Sequence, residues 1–130
     1  MSNLLKLAER VEAGEKGDDV IWDIFKALGK HTDHLEILIR RALDDYNALS
    51  AAQALHDAVL SGWLVVDLFQ NSGGKLGWSV WLRHKNVGGD VCGVALTPAA
   101  AWVASILRAV HEVQRGGRVK YLLLHKQMLK

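Results

Sequence analysis

Apolar residues recur at helical spacing through the first sixty positions and then change period. Leu4, Leu7 and Val11 share a face at i, i+3, i+7, with Leu5 and Ala8 beside them. This predicts a helix over about Asn3 to Ala13, with Asn3 or Ser2 as cap and Gly14 just past its end. Ile21, Ile24, Phe25 and Leu28 predict a second helix from Asp18 to Leu28, whose Asp18 and Asp19 suit the positive end of the helix dipole. Leu35, Leu38, Ile39, Ala42, Leu43 and Tyr46 predict a third over Asp33 to Ala48, capped by Thr32. Ser50, with Gln53 three residues on, predicts a fresh cap and a fourth helix to about Leu60, through Leu55, Ala58 and Val59.

The period then becomes two. Trp63–Gln70 and about Leu76 to His84 read as strands joined by the turn Asn71-Ser72-Gly73-Gly74-Lys75, a β-hairpin signal. Strict alternation places Leu64, Val66 and Leu68 on one face of the first strand, and Trp63, Val65 and Phe69 on the other. In the second strand Trp78, Val80 and Leu82 oppose Ser79, Trp81 and Arg83. Apolar residues on both faces predict that both faces are at least partly covered. A second Gly-rich turn, residues 85–90, leads to a third strand over Val91 to Leu96, completing an antiparallel meander. Thr97-Pro98 opens a fifth helix, predicted to run through Trp102, Ser105, Ile106 and Val113 to about Gln114 and to stop at Gly116-Gly117. The segment 118–130, RVKYLLLHKQMLK, fits either a short strand or an amphipathic helix. The predicted fold is α+β: a small three-stranded antiparallel sheet between helical layers, about five helices, one domain spanning residues 1–130.

Composition changes this picture little. The length of 130 residues suits one core, and half of the residues are apolar. The single cysteine, Cys92, cannot form an intrachain disulfide, which fits a cytoplasmic setting. The N-terminal residues mix acidic side chains with helical periodicity, unlike a signal peptide, and no run approaches a membrane span. Charge changes it more. Residues 1–60 hold 7 Lys/Arg and 11 Asp/Glu, a net of −4, and residues 61–130 hold 9 and 3, a net of +6. Such polarity can steer a partner or order self-association.

Three stretches carry a resemblance: LLKLAERVEAGEKGDDVIWDIFKALG at 4–29, SAAQALHDAVLSGW at 50–63 and LTPAAAWVASILRAV at 96–110. Together they resemble the phage ABA sandwich domain family of small bacteriophage and prophage proteins, in which a small antiparallel sheet lies between helices. The shared features are an L-x-x-L-A-x-R-V-E-A helix, a Ser-capped helix running into a Gly-Trp strand start, and a Thr-Pro-initiated last helix. Residues 30–48 depart from the pattern as an inserted or lengthened helix, and residues 116–130 as an added tail. The resemblance implies a phage or prophage origin and a host bacterial cytoplasm. It implies no activity, cofactor or catalytic residue.

Candidate chemistry is sparse. His31 and His34 at i, i+3 could share a metal, yet no third ligand stands at matching spacing. His56 and Asp57 are adjacent on a helix and point about 100° apart, so they form no relay. No Ser occupies a G-x-S-x-G elbow. Cys92, in an apolar strand, reads as packing. NSGGKLG and GGDVCG lack phosphate-loop spacing and join antiparallel strands. Of five Trp, Trp81 stands out, because Ser79 and Arg83 share its face and an exposed Trp beside Arg suits a binding hot spot. Arg115, Arg118, Lys120, Tyr121 and Lys126 form a basic segment that fits either a protein or a phosphate backbone.

The sequence therefore leads to a non-enzymatic phage or prophage accessory protein without a cofactor, metal or membrane contact. Trp81, Arg83, Arg115, Arg118, Lys120, Tyr121 and Lys126 are its candidate partner-binding residues. The partner expected is a host protein or complex, such as a CRISPR effector or another defence complex. The alternative is nucleic-acid binding through the basic segment. A homodimer, through an exposed edge strand or the Leu-rich tail, is compatible with both.

Overall fold

The computed structural model describes residues 3–29, 33–44, 48–72, 77–86 and 89–128, with side chains excepted at 33 and 116–128. In chain order it forms α1 (Asn3–Glu12), α2 (Asp18–Leu28), α3 (Asp33–Leu43), α4 (Ala48–Val59), β1 (Trp63–Gln70), β2 (Trp78–His84), β3 (Asp90–Ala95) and α5 (Pro98–Met128). Among the described residues the fold is α+β, with five helices and one three-stranded antiparallel sheet of order β1-β2-β3, as the periodicities predict.

α5 organises the core. Thr97 caps it, with its Oγ1 accepting the Ala100 N–H at 3.2 Å, and Pro98 fills the first turn, where no amide partner is needed. The helix lies across β3 and β2 and also packs against α1 and α4. Ala99, Ala101, Val103, Ala104, Ile106 and Leu107 are buried. The many alanines let the helix approach closely, and Gly93 lets it come closer still. A Cβ on Gly93 would collide with the Ala101 carbonyl oxygen and lie 2.7 Å from the Ser105 nitrogen. Ser105 Oγ meanwhile donates to the Val80 carbonyl at 2.6 Å, tying helix to sheet.

α3 ends earlier than its stripe predicts, at Leu43, and α4 starts earlier, at Ala48. Ser50 therefore lies within the first turn of α4 instead of capping it; Ala48 and Leu49, both good helix formers, extend the helix backwards. Tyr46 falls outside the described residues. α3 is no appendage: Leu35, Ile39 and Ala42 are buried, and it packs on α2, α4 and α5.

Two further predictions are corrected. α5 does not stop at Gly116-Gly117 but continues to Met128, so the tail backbone is helical. Glycine costs a helix interior about 1 kcal/mol without forbidding it, and strong helix formers flank this pair. In β1, the register against β2 slips between Val65 and Asp67. Val66 is the extra residue of a β-bulge, and beyond it the alternation inverts. Phe69 thus joins the face of Leu64, while Leu68 joins that of Trp63 and Val65.

The expected two-sided cover is also corrected. Val80 and Leu82 are fully buried beneath α5, but on the opposite face Leu64, Phe69, Trp81 and Val94 are exposed. The described helices reach one face of the sheet and the outer edge of β3.

Candidate interaction surface

The exposed face is laid out in three rows by the strand register. Leu64, Arg83 and Asp90 form the first; Asp67, Trp81 and Cys92 the second; Phe69, Ser79 and Val94 the third. Trp81 is central and 36% exposed, flanked by the more open Leu64, Phe69 and Val94. Apolar area of this kind on one face, rimmed by charge, is the usual form of a docking surface.

Its polar members are held in place. Arg83 binds Asp90 across the β2–β3 ladder through Nε at 2.6 Å and Nη2 at 3.0 Å. This forked bond, helped by the opposite charge, holds the Asp90 carboxyl below its ordinary range. Arg83 is therefore oriented beside Trp81 instead of sweeping through solvent. Ser79 Oγ donates to Asn71 Oδ1 at 2.6 Å, which fixes the turn end of the hairpin. Cys92 is half-buried, and burial foremost pushes its thiol up, away from reactive thiolate.

Beside this face, a charge cluster closes the β3 edge. The Glu12 carboxylate, at the end of α1, accepts the Val94 N–H at 2.8 Å and takes both Arg108 guanidinium nitrogens. Arg108 Nη1 also donates to the Cys92 carbonyl at 2.8 Å. Burial raises the Glu12 carboxyl, but the Arg108 bonds and the Val94 amide outweigh it and hold it below the ordinary range. No spacing rule joins Glu12 to Arg108, ninety-six residues away, so sequence reasoning missed the pair.

The other candidates are scattered. Arg115 is exposed and pairs with Glu112 along α5 at 2.9 Å. Arg118, Lys120, Tyr121 and Lys126 fall in the continuation of α5, and their side chains lie outside the described residues. His31 also lies outside them, and His34 is exposed on α3. Asp57 is exposed, whereas His56 is buried: its Nδ1 accepts the Trp102 indole N–H at 3.1 Å and its Nε2 lies 2.8 Å from the Trp63 carbonyl. An indole only donates and a carbonyl only accepts, so the ring proton sits on Nε2 and the histidine bridges two core tryptophans. Trp22, half exposed, stacks on Phe25 beneath Lys26. An open hollow of about 240 Å³ between the ends of α1 and α3 and the start of α5 is lined mainly by Val11, Leu43, Leu96 and Ala100. Among the described residues that line it, Glu15 and Lys16 are the charged ones.

Among the described residues, no helix is long and apolar enough to cross a membrane. No family model, curated protein or solved structure matches the chain.

Proposed function

We propose that this chain is a non-enzymatic protein that binds another protein stoichiometrically on the open face of its sheet. The observation that carries the reading is the exposed row structure around Trp81, with Leu64, Phe69 and Val94 beside it and Arg83 fixed at the rim. A partially exposed tryptophan flanked by apolar residues and an oriented arginine is the composition that interfaces concentrate at their hot spots. The sequence resemblance to the phage ABA sandwich family supplies the setting: a phage or prophage accessory protein in a host bacterial cytoplasm. In that setting the target class is a host protein complex, such as a CRISPR effector or another defence assembly.

The test is capture from bacterial host lysate with immobilised wild-type protein and with Trp81→Glu. Wild type is expected to enrich a protein in near-stoichiometric amount, and the variant, with an unchanged melting temperature, to lose it. Enrichment of nothing above a blank resin, or equal enrichment by both, would sink the reading.

A second reading uses the tail. α5 continues as one helix past Gly117, so the basic positions 118, 120 and 126 are carried on a helix, a form able to follow a phosphate backbone. Gel shifts discriminate: binding that weakens steeply with salt, and with Arg118→Glu and Lys120→Glu, would favour nucleic acid over protein.

A further inference from the structure

The open face of the sheet has a shape and a charge, and each narrows what fits there. In the row Phe69, Ser79, Val94 the middle residue is small and buried while its two neighbours are exposed. Trp81 continues that line along β2, and it is less open than Leu64 and Phe69 on β1 or Val94 on β3. The face is thus a shallow channel with β2 as its floor. Three strands about 4.8 Å apart make it about 10 Å wide, the diameter of one α-helix. From Ser79 to Arg83 the floor runs about 13 Å, a little over two helical turns.

The charges on this face are unequally satisfied. At one end of the channel Arg83 is engaged in its forked bond to Asp90. Asp67, paired with Trp81 in the register, is exposed, and among the described residues no cation pairs with it. Arg83 and Asp90 cancel, and one carboxylate remains beside the central tryptophan. That charge repels a phosphate backbone or an anionic lipid surface and attracts a cation.

The edges disfavour an extended occupant. A partner strand joins a sheet by pairing with its edge. At β1, the buried His56 Nε2 already donates to the Trp63 carbonyl at 2.8 Å. At β3, Glu12 takes the Val94 N–H and Arg108 donates to the Cys92 carbonyl. An added strand would have to displace these bonds, whereas a helix satisfies its own backbone and uses only the face.

We infer that the occupant of this channel is an amphipathic α-helix of the partner protein, laid along β2. Its apolar residues, at i, i+3, i+4 and i+7, lie over Ser79 and Trp81, and a lysine or arginine on the flank of that stripe meets Asp67. This rests on the reading of the open face as the docking surface and names the chemistry that docks there.

The test selects the occupant from an unbiased pool. A displayed library of random peptides of about 15 residues, enough for four helical turns, is panned on the immobilised full chain with counter-selection on Trp81→Glu. The peptides recovered are expected to carry apolar residues at helical spacing with a flanking Lys or Arg, and the tightest to gain helical circular dichroism on binding. Asp67→Lys is expected to weaken that peptide roughly threefold to tenfold, as an exposed ion pair becomes a like-charge contact, and exchanging the peptide's cation for Glu to restore the affinity. Peptides that alternate apolar and polar residues with period two, equal recovery on Trp81→Glu, or no enrichment at all would overturn the inference. So would a dimer in sedimentation equilibrium that Trp81→Glu dissolves, since it gives the face to a second copy. Indifference of the tightest peptide to Asp67→Lys overturns the charge assignment. Lysate capture separates the two levels. A partner held through Trp81 while the library yields no helix removes the helix and keeps the docking surface. Helical peptides selected through Trp81 with no lysate partner keep the chemistry of the channel and remove the host target.

Discussion

Among the residues that hold α5 to the sheet, Gly93 and Glu12 give sharp expectations. Gly93 is needed for closeness, not for an unusual backbone angle: its missing Cβ is the space that Ala101 and Ser105 occupy. Gly93→Ala should cost about 3 kcal/mol through overpacking, read as a lower urea midpoint at unchanged slope. Glu12 acts by charge. Its carboxyl is held below the ordinary range, so its contribution is present above the unfolded value of about 4.3 and is lost as pH falls through the lower folded value. Glu12→Gln should destabilise by about 1–2 kcal/mol near neutrality, because it leaves the half-buried Arg108 without its carboxylate while solvent screens part of the loss. Denaturant titrations from neutral to acidic pH should show the two proteins converging as the wild-type carboxyl protonates; parallel curves would contradict the assignment.

At the scale of elements, local punctuation was legible and exceptions to it were not. Asp18–Leu28, Trp63–Gln70 and the Thr97-Pro98 start of α5 were readable to the residue, because caps, proline and a change of period mark them. The bulge at Val66 was not, since nothing in WLVVDLFQ departs from strand composition and the slip exists only in pairing with β2. It decided which apolar residues share the open face, moving Phe69 beside Leu64. Gly116-Gly117 misled for a different reason: a glycine pair is a stop signal only when the flanking residues do not favour continuing. If α5 runs through it, Gly116→Ala with Gly117→Ala should raise helical circular dichroism and stabilise the helix by up to about 1 kcal/mol per site. A loss of helicity would place the stop back at Gly116.

At the scale of the whole molecule, layer order separates this structure from its sequence-based expectation. Two apolar faces on the strands read as a sheet covered on both sides. The second face is instead open, and the same residues that read as filling become surface. Trp81 and Arg83 were visible as candidates because the polar residues around them broke the pattern; Phe69, Leu64 and Val94 were not, because their apolarity looked like burial. Leu64, Phe69, Trp81 and Val94 are the large apolar side chains that this face leaves open to solvent. The charge asymmetry along the sequence is partly consumed inside the fold, where acidic Glu12 of the first half holds basic Arg108 of the second.

The most direct measurement of the central claim is the affinity of the captured protein across two single variants, Trp81→Ala on the sheet face and Arg115→Ala on α5. If the open face is the docking surface, Trp81→Ala weakens binding by about 2 kcal/mol or more, roughly thirtyfold, and Arg115→Ala leaves it unchanged. Unchanged affinity in Trp81→Ala, with the loss in Arg115→Ala instead, would contradict the account and move the interface to the basic helix.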